Sequence, residues 1–182
     1  MQVVLITGGA GFIGSNFIPY FLENNKAYKV VNLDLLTYAG ALSNVSEIQE
    51  NSRHTFIHGD ICDKKLVENL FNKYQFSAVI HFAAESHVDN SITNPDAFVK
   101  TNVLGTFNLL DTAKNYWMES PKMYKKGLFG LILHLIFAIQ GTSHYIFITF
   151  DLCIRERRSW LFCQHIMRLK HLKKHIMRYQ GI

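Results

Sequence analysis

The sequence has few cysteines, and no basic segment stands ahead of its first apolar run. Its 182 residues include three cysteines, Cys62, Cys153 and Cys163, and no two of them form a Cys-x-x-Cys pair. An odd, dispersed set of this kind predicts reduced thiols in a cytoplasmic protein and argues against a zinc site. The N-terminus also lacks a basic segment, and the first apolar run, residues 3–6, is too short for a signal peptide. We therefore expect that run to be a strand.

Charged residues are also scarce, and they are unevenly distributed. They make up 18% of the chain against 48% hydrophobic residues, which allows a packed core. Residues 1–120 have a net charge of −4 and residues 121–182 one of +9, for a total of +5. A pI near 9.1 usually suggests a nucleic-acid or membrane partner. Here the basic charge is confined to the last third, where basic and aromatic residues do not interleave, so we predict no nucleic-acid partner.

The first 120 residues alternate between β-rich runs and amphipathic stretches with helical spacing. Such alternation predicts an α/β fold, a Rossmann-like doubly wound parallel sheet with right-handed crossovers. Asp63 and Asn94 are expected to be helix N-caps, the latter followed by a proline at the first helical position. The predicted strands cover residues 3–6, 29–34, 55–58 and 77–82, and the predicted helices begin near residues 14, 45, 63 and 94, the last running to about 116.

A glycine-rich turn joins the first strand to the first helix. Gly8, Gly11 and Gly14 are spaced three residues apart, and Asp34 follows 20 residues later at the end of the second strand. In a dinucleotide site the first glycine makes the tight turn, the second lets the backbone approach the pyrophosphate, and the third allows close helix packing. The phosphates then meet free N–H groups at a helix N-terminus. The alternative is a glycine-rich turn that only joins strand to helix.

Four segments within about two-thirds of the chain carry a family resemblance. They are residues 7–15 (TGGAGFIGS), 34–40 (DLLTYAG), 59–63 (GDICD) and 81–92 (HFAAESHVDNSI). Together they resemble the dTDP-glucose 4,6-dehydratase family, which belongs to the extended short-chain dehydrogenases/reductases. The family implies an NAD cofactor, a nucleotide-sugar substrate and a homodimer. UDP-hexose 4-epimerases share the fold and the glycine turn, but the run at residues 85–89 favours the dehydratases.

The resemblance also implies roles for individual residues. Asp34 would accept hydrogen bonds from the adenosine ribose, and the absence of Arg or Lys at positions 35 and 36 favours NAD over NADP. Position 35 is usually Lys in the family, so the leucine there is a departure. Asp60 and Ile61 would flank the adenine, although Asp60 also suits a turn or cap. Ser86 would contact the substrate, with a capping hydroxyl as the alternative. The full set implied for the cofactor is Gly8, Gly11, Phe12, Ile13, Gly14, Asp34, Leu35, Leu36, Thr37, Asp60, Ile61, Phe82, Ala83, Ala84, Glu85 and Thr101.

Two of these assignments have simple structural alternatives. Residues 82–84 would lie by the nicotinamide ribose, where small side chains permit close approach, but ordinary strand–helix packing explains them too. Thr101 would be a further cofactor contact, or else a buried threonine that bonds to its own helix.

The motifs that carry the family's chemistry are missing. That chemistry needs a tyrosine base with a lysine four residues later, and an Asp–Glu pair that removes water. None of the eight tyrosines has such a lysine, and no aspartate is followed by glutamate. We therefore predict no catalytic residues in this chain, and we expect a catalytically incomplete fragment or a non-catalytic NAD-binding remnant. A native homodimer is not expected, because the helix that follows the fifth strand in the family, and usually helps to form its dimer, is missing here.

The sequence changes character after residue 120. Residues 128–139 form an apolar run in the place expected for a fifth strand, and the remainder is basic without a fold signature. We interpret residues 121–182 as an atypical tail that replaces the family's continuation through a frameshift, a mis-joined reading or a truncation. A membrane span over residues 128–150 is the alternative, but polar residues such as His134 and Gln140 would make it costly.

Overall fold

The computed structural model describes residues 1–85, 94–120, 123–124, 132–138 and 146–149. A six-stranded sheet dominates this part, in the order β3-β2-β1-β4-β7-β8. All neighbouring strands pair in parallel except β7 and β8, which are antiparallel. The strands are β1 (Gln2–Thr7), β2 (Tyr28–Asp34), β3 (His54–His58), β4 (Ala78–His81), β5 (Met118–Ser120), β6 (Met123–Tyr124), β7 (Ile132–Ala138) and β8 (Ile146–Thr149), of which β5 and β6 form a separate ribbon.

Helices connect the strands on both faces of the sheet. They are α1 (Phe12–Asn24), a 3₁₀ helix (Leu42–Ile48), α2 (Lys64–Tyr74), α3 (Pro95–Val99), a π-helical segment (Lys100–Gly105) and α4 (Thr106–Trp117). The chain moves from β1 to β2 in one direction and from β3 to β4 in the other. Right-handed crossovers therefore place α1 and α2 on opposite faces. This is the predicted doubly wound α/β architecture, which the structure confirms.

Strand β1 lies at the centre of the core because both of its faces are covered. Val4, Leu5 and Ile6 are fully buried, as expected for a parallel strand between two helical layers. On one face, Leu5 packs in a cluster with Phe71 of α2 and Trp117 of α4. The indole Nε1–H of Trp117 donates to the carbonyl of Phe76 at 2.8 Å. Since Phe76 lies just before β4, this hydrogen bond holds the last residue of α4 against the start of that strand.

Two helix starts expected from the sequence have different outcomes. The Asp63 carboxylate accepts a hydrogen bond from the Leu66 N–H at 3.0 Å, so the predicted cap of α2 is confirmed. The helix predicted from residue 94 to about 116 has the expected extent, since helical backbone runs from Pro95 to Trp117, but it is not a regular α-helix throughout. Asn94 precedes α3 but its side chain makes no capping hydrogen bond, and the π-helical segment separates α3 from α4. Tertiary contacts of that segment, described below, outweigh the regular α-helical pattern.

The apolar run after residue 128 supplies the fifth parallel strand. β7 continues the sheet beside β4, with Val79 paired to Ile132 and His81 to His134. Most of residues 121–182 lie outside the described residues, so the domain boundary at residue 120 and the origin of the tail stay predictions. Within the part of the chain that the structure describes, no helix combines the length and apolar character needed to cross a membrane.

Candidate cofactor site

A cleft opens at the carboxyl ends of β1, β2, β3 and β4. The strand order reverses between β1 and β4, and an open α/β sheet binds ligands at such a switch point. Most of the residues predicted for the cofactor come together there. The cleft is lined by Gly8, Gly11, Leu33, Asp34, Leu35, Thr37, Ala39, Gly40, Gly59, Asp60, Ile61, Phe82, Ala83, Ala84, Glu85 and Thr101.

The three glycines of the turn have different surroundings. Gly8 has a φ of +71°, and a Cβ there would lie 2.4 Å from the Ala83 nitrogen. A Cβ at Gly14 would lie 2.4 Å from the Gly8 carbonyl oxygen, too close for any side chain. At Gly11 the nearest atom to a Cβ is the same oxygen, at an ordinary 3.4 Å. Gly8 and Gly14 are therefore required by the fold, whereas the space above Gly11 is open to the cleft.

Asp34 is held rigidly at the end of β2. Its Oδ2 accepts a hydrogen bond from the Ala10 N–H and its Oδ1 one from the Leu36 N–H, both at 2.8 Å. The side chain is buried in the cleft wall, and Leu36 takes the left-handed conformation, with a φ of +55°, as it donates. Because each carboxylate oxygen can accept more than one hydrogen bond, Asp34 keeps acceptor capacity for a ligand hydroxyl. One carboxylate thus links the glycine turn to the loop after β2.

The loop after β3 forms another part of the wall. Asp60 accepts from the Cys62 N–H at 2.8 Å, so the turn role considered as an alternative is present together with the position in the cleft. Ile61 is buried, and its carbonyl accepts from the Asn108 amide at 2.6 Å. Burial first, and then the neighbouring Asp60, raise the pKa of the Cys62 thiol to about 11, against an opposing effect of Lys100. A thiol with that pKa stays protonated near neutral pH and is a poor nucleophile.

The segment after β4 is fixed from two sides. The Phe82 N–H donates to the Thr7 carbonyl at 2.9 Å, and the Phe82 ring packs edge-on against Phe17 of α1 with centroids 5.2 Å apart. The Asn102 amide forms two hydrogen bonds with the Glu85 backbone. The close packing considered as an alternative for residues 82–84 is therefore real, and it coexists with their place on the cleft wall.

The structure does not place every predicted residue on the cleft wall. Phe12, Ile13, Gly14 and Leu36 do not line it, since the first three belong to α1 or its first turn, and Gly14 is buried beneath the turn. Phe12 is exposed at the helix start, where backbone N–H groups have no intrahelical partner. Ser86 lies outside the described residues.

Sequence reasoning missed four wall residues. Two of them directly precede a predicted aspartate, and the other two belong to the segment 34–40 that carries the resemblance. Position beside a predicted residue, or within a segment of the resemblance, was the signal that could have found them. The missed residues are Leu33, Ala39, Gly40 and Gly59.

Within the described residues, no three His, Cys, Asp or Glu side chains are grouped closely enough to hold a metal ion.

Comparisons with known proteins identify the family and the fold. The sequence profile of the family described as GDP-mannose 4,6 dehydratase matches residues 5–127. The dTDP-glucose 4,6-dehydratase of Salmonella typhimurium is 53% identical over 114 residues, which are 63% of this chain and 31% of that protein. An Escherichia coli dTDP-glucose 4,6-dehydratase is 50% identical over 126 residues, covering 69% of this chain and 34% of the relative. The chain thus spans about a third of the length of the curated relatives it matches.

Two solved structures show the same fold. The dTDP-glucose 4,6-dehydratase of Bacillus anthracis, in complex with NAD, aligns with a TM-score of 0.57 and 41% identity over 64% of this chain and 34% of its own. The UDP-glucose 4-epimerase of Thermus thermophilus, also an NAD complex, aligns with a TM-score of 0.55 and 35% identity. The alignment covers 63% of this chain and 34% of the epimerase chain. The resemblance drawn from the sequence is confirmed.

Proposed function

The chain belongs to the GDP-mannose 4,6 dehydratase family, and from that premise we propose that it is the NAD-binding portion of a dTDP-glucose 4,6-dehydratase. The parent reaction converts dTDP-glucose to dTDP-4-keto-6-deoxyglucose and water. The observation that carries the proposal is the cleft itself, where the open face of Gly11 and the fixed carboxylate of Asp34 meet at the switch point of the sheet. Cytoplasmic location is part of the proposal.

NAD fits this cleft better than NADP. Asp34 offers carboxylate oxygens to a ribose diol, and a 2′-phosphate on the same ribose would meet negative charge. The adjacent wall residue is Leu35, whose partly exposed side chain gives no positive charge to compensate. Ile61 supplies apolar surface, and the open backbone at Gly11 allows a pyrophosphate to approach. When bound, the nicotinamide would accept a hydride from the sugar.

The 182 residues lack two motifs that this reaction requires. The sequence contains neither Tyr-x-x-x-Lys nor Thr-Asp-Glu, so no tyrosine base paired with lysine and no Asp–Glu pair is available to move protons. We propose that the 182-residue chain binds NAD and leaves dTDP-glucose unchanged. Nucleotide sugars are the substrate class of the parent enzyme. We do not propose a homodimer for this chain.

Calorimetric titration of the full chain tests the cofactor assignment. We expect saturable NAD binding, and NADP binding at least about tenfold weaker, since about 1.4 kcal/mol of lost attraction gives that factor. Asp34→Ala is expected to abolish the preference, whereas Glu68→Gln, a change at an exposed carboxylate of α2, is the matched control. Equal affinity for both nucleotides, or no binding by a folded chain, would contradict the proposal. Formation of the 4-keto-6-deoxy sugar would contradict the inactive assignment.

The UDP-hexose 4-epimerases remain the second candidate because one of them aligns with a similar TM-score. The coding DNA near codons 120–127 distinguishes the two. A shifted reading frame that encodes both Thr-Asp-Glu and Tyr-x-x-x-Lys supports a dehydratase, and one that encodes only the latter supports an epimerase. If neither motif occurs in another frame, the frameshift explanation of residues 121–182 is wrong.

A further inference from the structure

The π-helical segment between α3 and α4 directs a buried amide at the cleft wall. Asn102 lies in this segment, and its Oδ1 accepts from the Glu85 N–H at 2.8 Å while its Nδ2 donates to the Glu85 carbonyl at 2.9 Å. The side chain is 7% exposed. The amide therefore pairs with one residue of the wall through both backbone groups, as a neighbouring strand would.

A second set of hydrogen bonds fixes the helix that carries Asn102. The Thr106 hydroxyl donates its single proton to the Asn102 carbonyl at 2.7 Å, so it must accept from the His81 Nε2–H at 3.0 Å. In the neutral imidazole the other ring nitrogen, Nδ1, accepts from the Thr7 hydroxyl at 2.5 Å. This buried path connects the π-helical segment to the ends of β4 and β1, which flank the switch point.

The connected groups all belong to the cleft or to its supports. Glu85 and Thr101, which precedes Asn102, both line the wall, and Thr7 immediately precedes Gly8. A π-helical insertion costs regular hydrogen bonds and is often found at functional sites. Here it turns the Asn102 amide toward Glu85.

We infer that Asn102 is a positioning residue that holds the wall segment 82–85 against the π-helical segment in the geometry that receives the cofactor. The inference rests on the proposed NAD site. Asn102 acts through the Glu85 backbone and needs no contact with the ligand. Removing its amide would free the Glu85 N–H and carbonyl and widen the range of positions open to the segment after β4.

The test compares Asn102→Leu, Asn102→Asp and Ala113→Gly in the full chain. Leucine has a similar volume without hydrogen-bonding groups, whereas aspartate keeps an acceptor for the Glu85 N–H and loses the donor. Ala113→Gly is the matched control, because it weakens the buried face of α4 away from the cleft. The readouts are hydrogen exchange of the Glu85 amide, calorimetric affinity for NAD and the unfolding temperature.

We expect Asn102→Leu to accelerate Glu85 exchange and to weaken NAD binding, each by about tenfold or more. Asn102→Asp is expected to fall between the leucine variant and the wild type, and it serves if the leucine variant does not fold. Ala113→Gly should lower the unfolding temperature while changing NAD affinity less than twofold. NAD affinity within twofold of wild type in both Asn102 variants would overturn the inference, as would unchanged Glu85 exchange. Failure of the wild-type chain to bind NAD would instead contradict the proposed function. Hydrogen exchange of the Glu85 amide would still test whether Asn102 holds the segment after β4.

Discussion

At the scale of single residues, one sequence motif contains glycines that serve different purposes. Gly14 is required because the Gly8 carbonyl and the Gly9 backbone occupy the space of a side chain. Gly11 has a φ of −76°, which any residue adopts, and a Cβ there would make only ordinary contacts, so the fold does not require glycine there. A glycine that the fold can replace, in a turn that faces a cleft, is best explained by close approach of a ligand.

This difference predicts opposite behaviour of two alanine variants. Gly11→Ala should leave the unfolding temperature nearly unchanged and weaken NAD binding at least about tenfold, since its methyl group would occupy the approach to the backbone. Gly14→Ala should lose about 1–3 kcal/mol of stability, because its Cβ would lie 2.4 Å from a carbonyl oxygen. Thermal unfolding and calorimetry measure the two effects separately. A Gly11→Ala variant that binds NAD like the wild type would refute a ligand-facing role.

At the scale of elements, α2 illustrates how a helix start is read from the sequence. Asp63 is followed by a stripe of apolar residues at helical spacing, and the structure shows its carboxylate on the Leu66 N–H. The buried face of the helix, which includes Val67 and Phe71, then packs in the main core. The cap satisfies one of the N–H groups that a helix start leaves without a partner.

Loss of that cap has a defined cost. Asp63→Ala should reduce the free energy of unfolding by about 1 kcal/mol, within the roughly 0.5–2 kcal/mol usual for N-cap removal. Asp63→Ser keeps an oxygen that accepts from the Leu66 N–H and should recover most of the loss. Urea unfolding followed by far-ultraviolet circular dichroism provides the measurement. Equal stability of the alanine and serine variants would show that the capping bond contributes nothing.

Some of these elements could be predicted from the sequence, and others could not. β2 and α2 are predictable because their patterns are local: β2 is a short apolar run buried along most of its length, and α2 has an apolar stripe at helical spacing. The π-helical segment is not, since it depends on a tertiary contact between Asn102 and Glu85 that no local pattern contains. In the site, Asp34 was predictable from its distance to the glycine turn. Leu33 was missed because only the folded chain shows which strand-end neighbours face the cleft.

At the scale of the whole molecule, the topology unites parts of the cleft that are distant in sequence. β1 pairs in parallel with both β2 and β4, so the carboxyl ends of these three strands lie side by side. These ends carry the glycine turn, Asp34 and the segment after β4. Stability of the sheet and geometry of the site therefore depend on the same central strand. Conditions that loosen the sheet, including low pH, should weaken both.

His54 supplies one source of such pH dependence, because it begins β3 in a buried position. Burial lowers the pKa of His54 below its usual 6.5, and the Ile48 backbone opposes this only in part. The unfolded chain therefore binds the proton more readily than the folded one. The contribution of neutral His54 to the free energy of unfolding is complete above about pH 6.5. As the pH falls below that value, this contribution is lost by at most about 1.4 kcal/mol per pH unit for one proton.

Urea unfolding at about pH 7.5 and about pH 5.5, on either side of the usual histidine pKa, isolates this contribution when the wild type is compared with His54→Leu. Leucine does not titrate and suits a buried strand position, so the remaining groups contribute equally to both proteins. We expect the wild type to lose more stability than the variant between the two pH values. An equal loss in the two proteins would mean that the His54 proton is bound equally well in the folded and unfolded chains, and a larger loss in the variant would reverse the assigned direction.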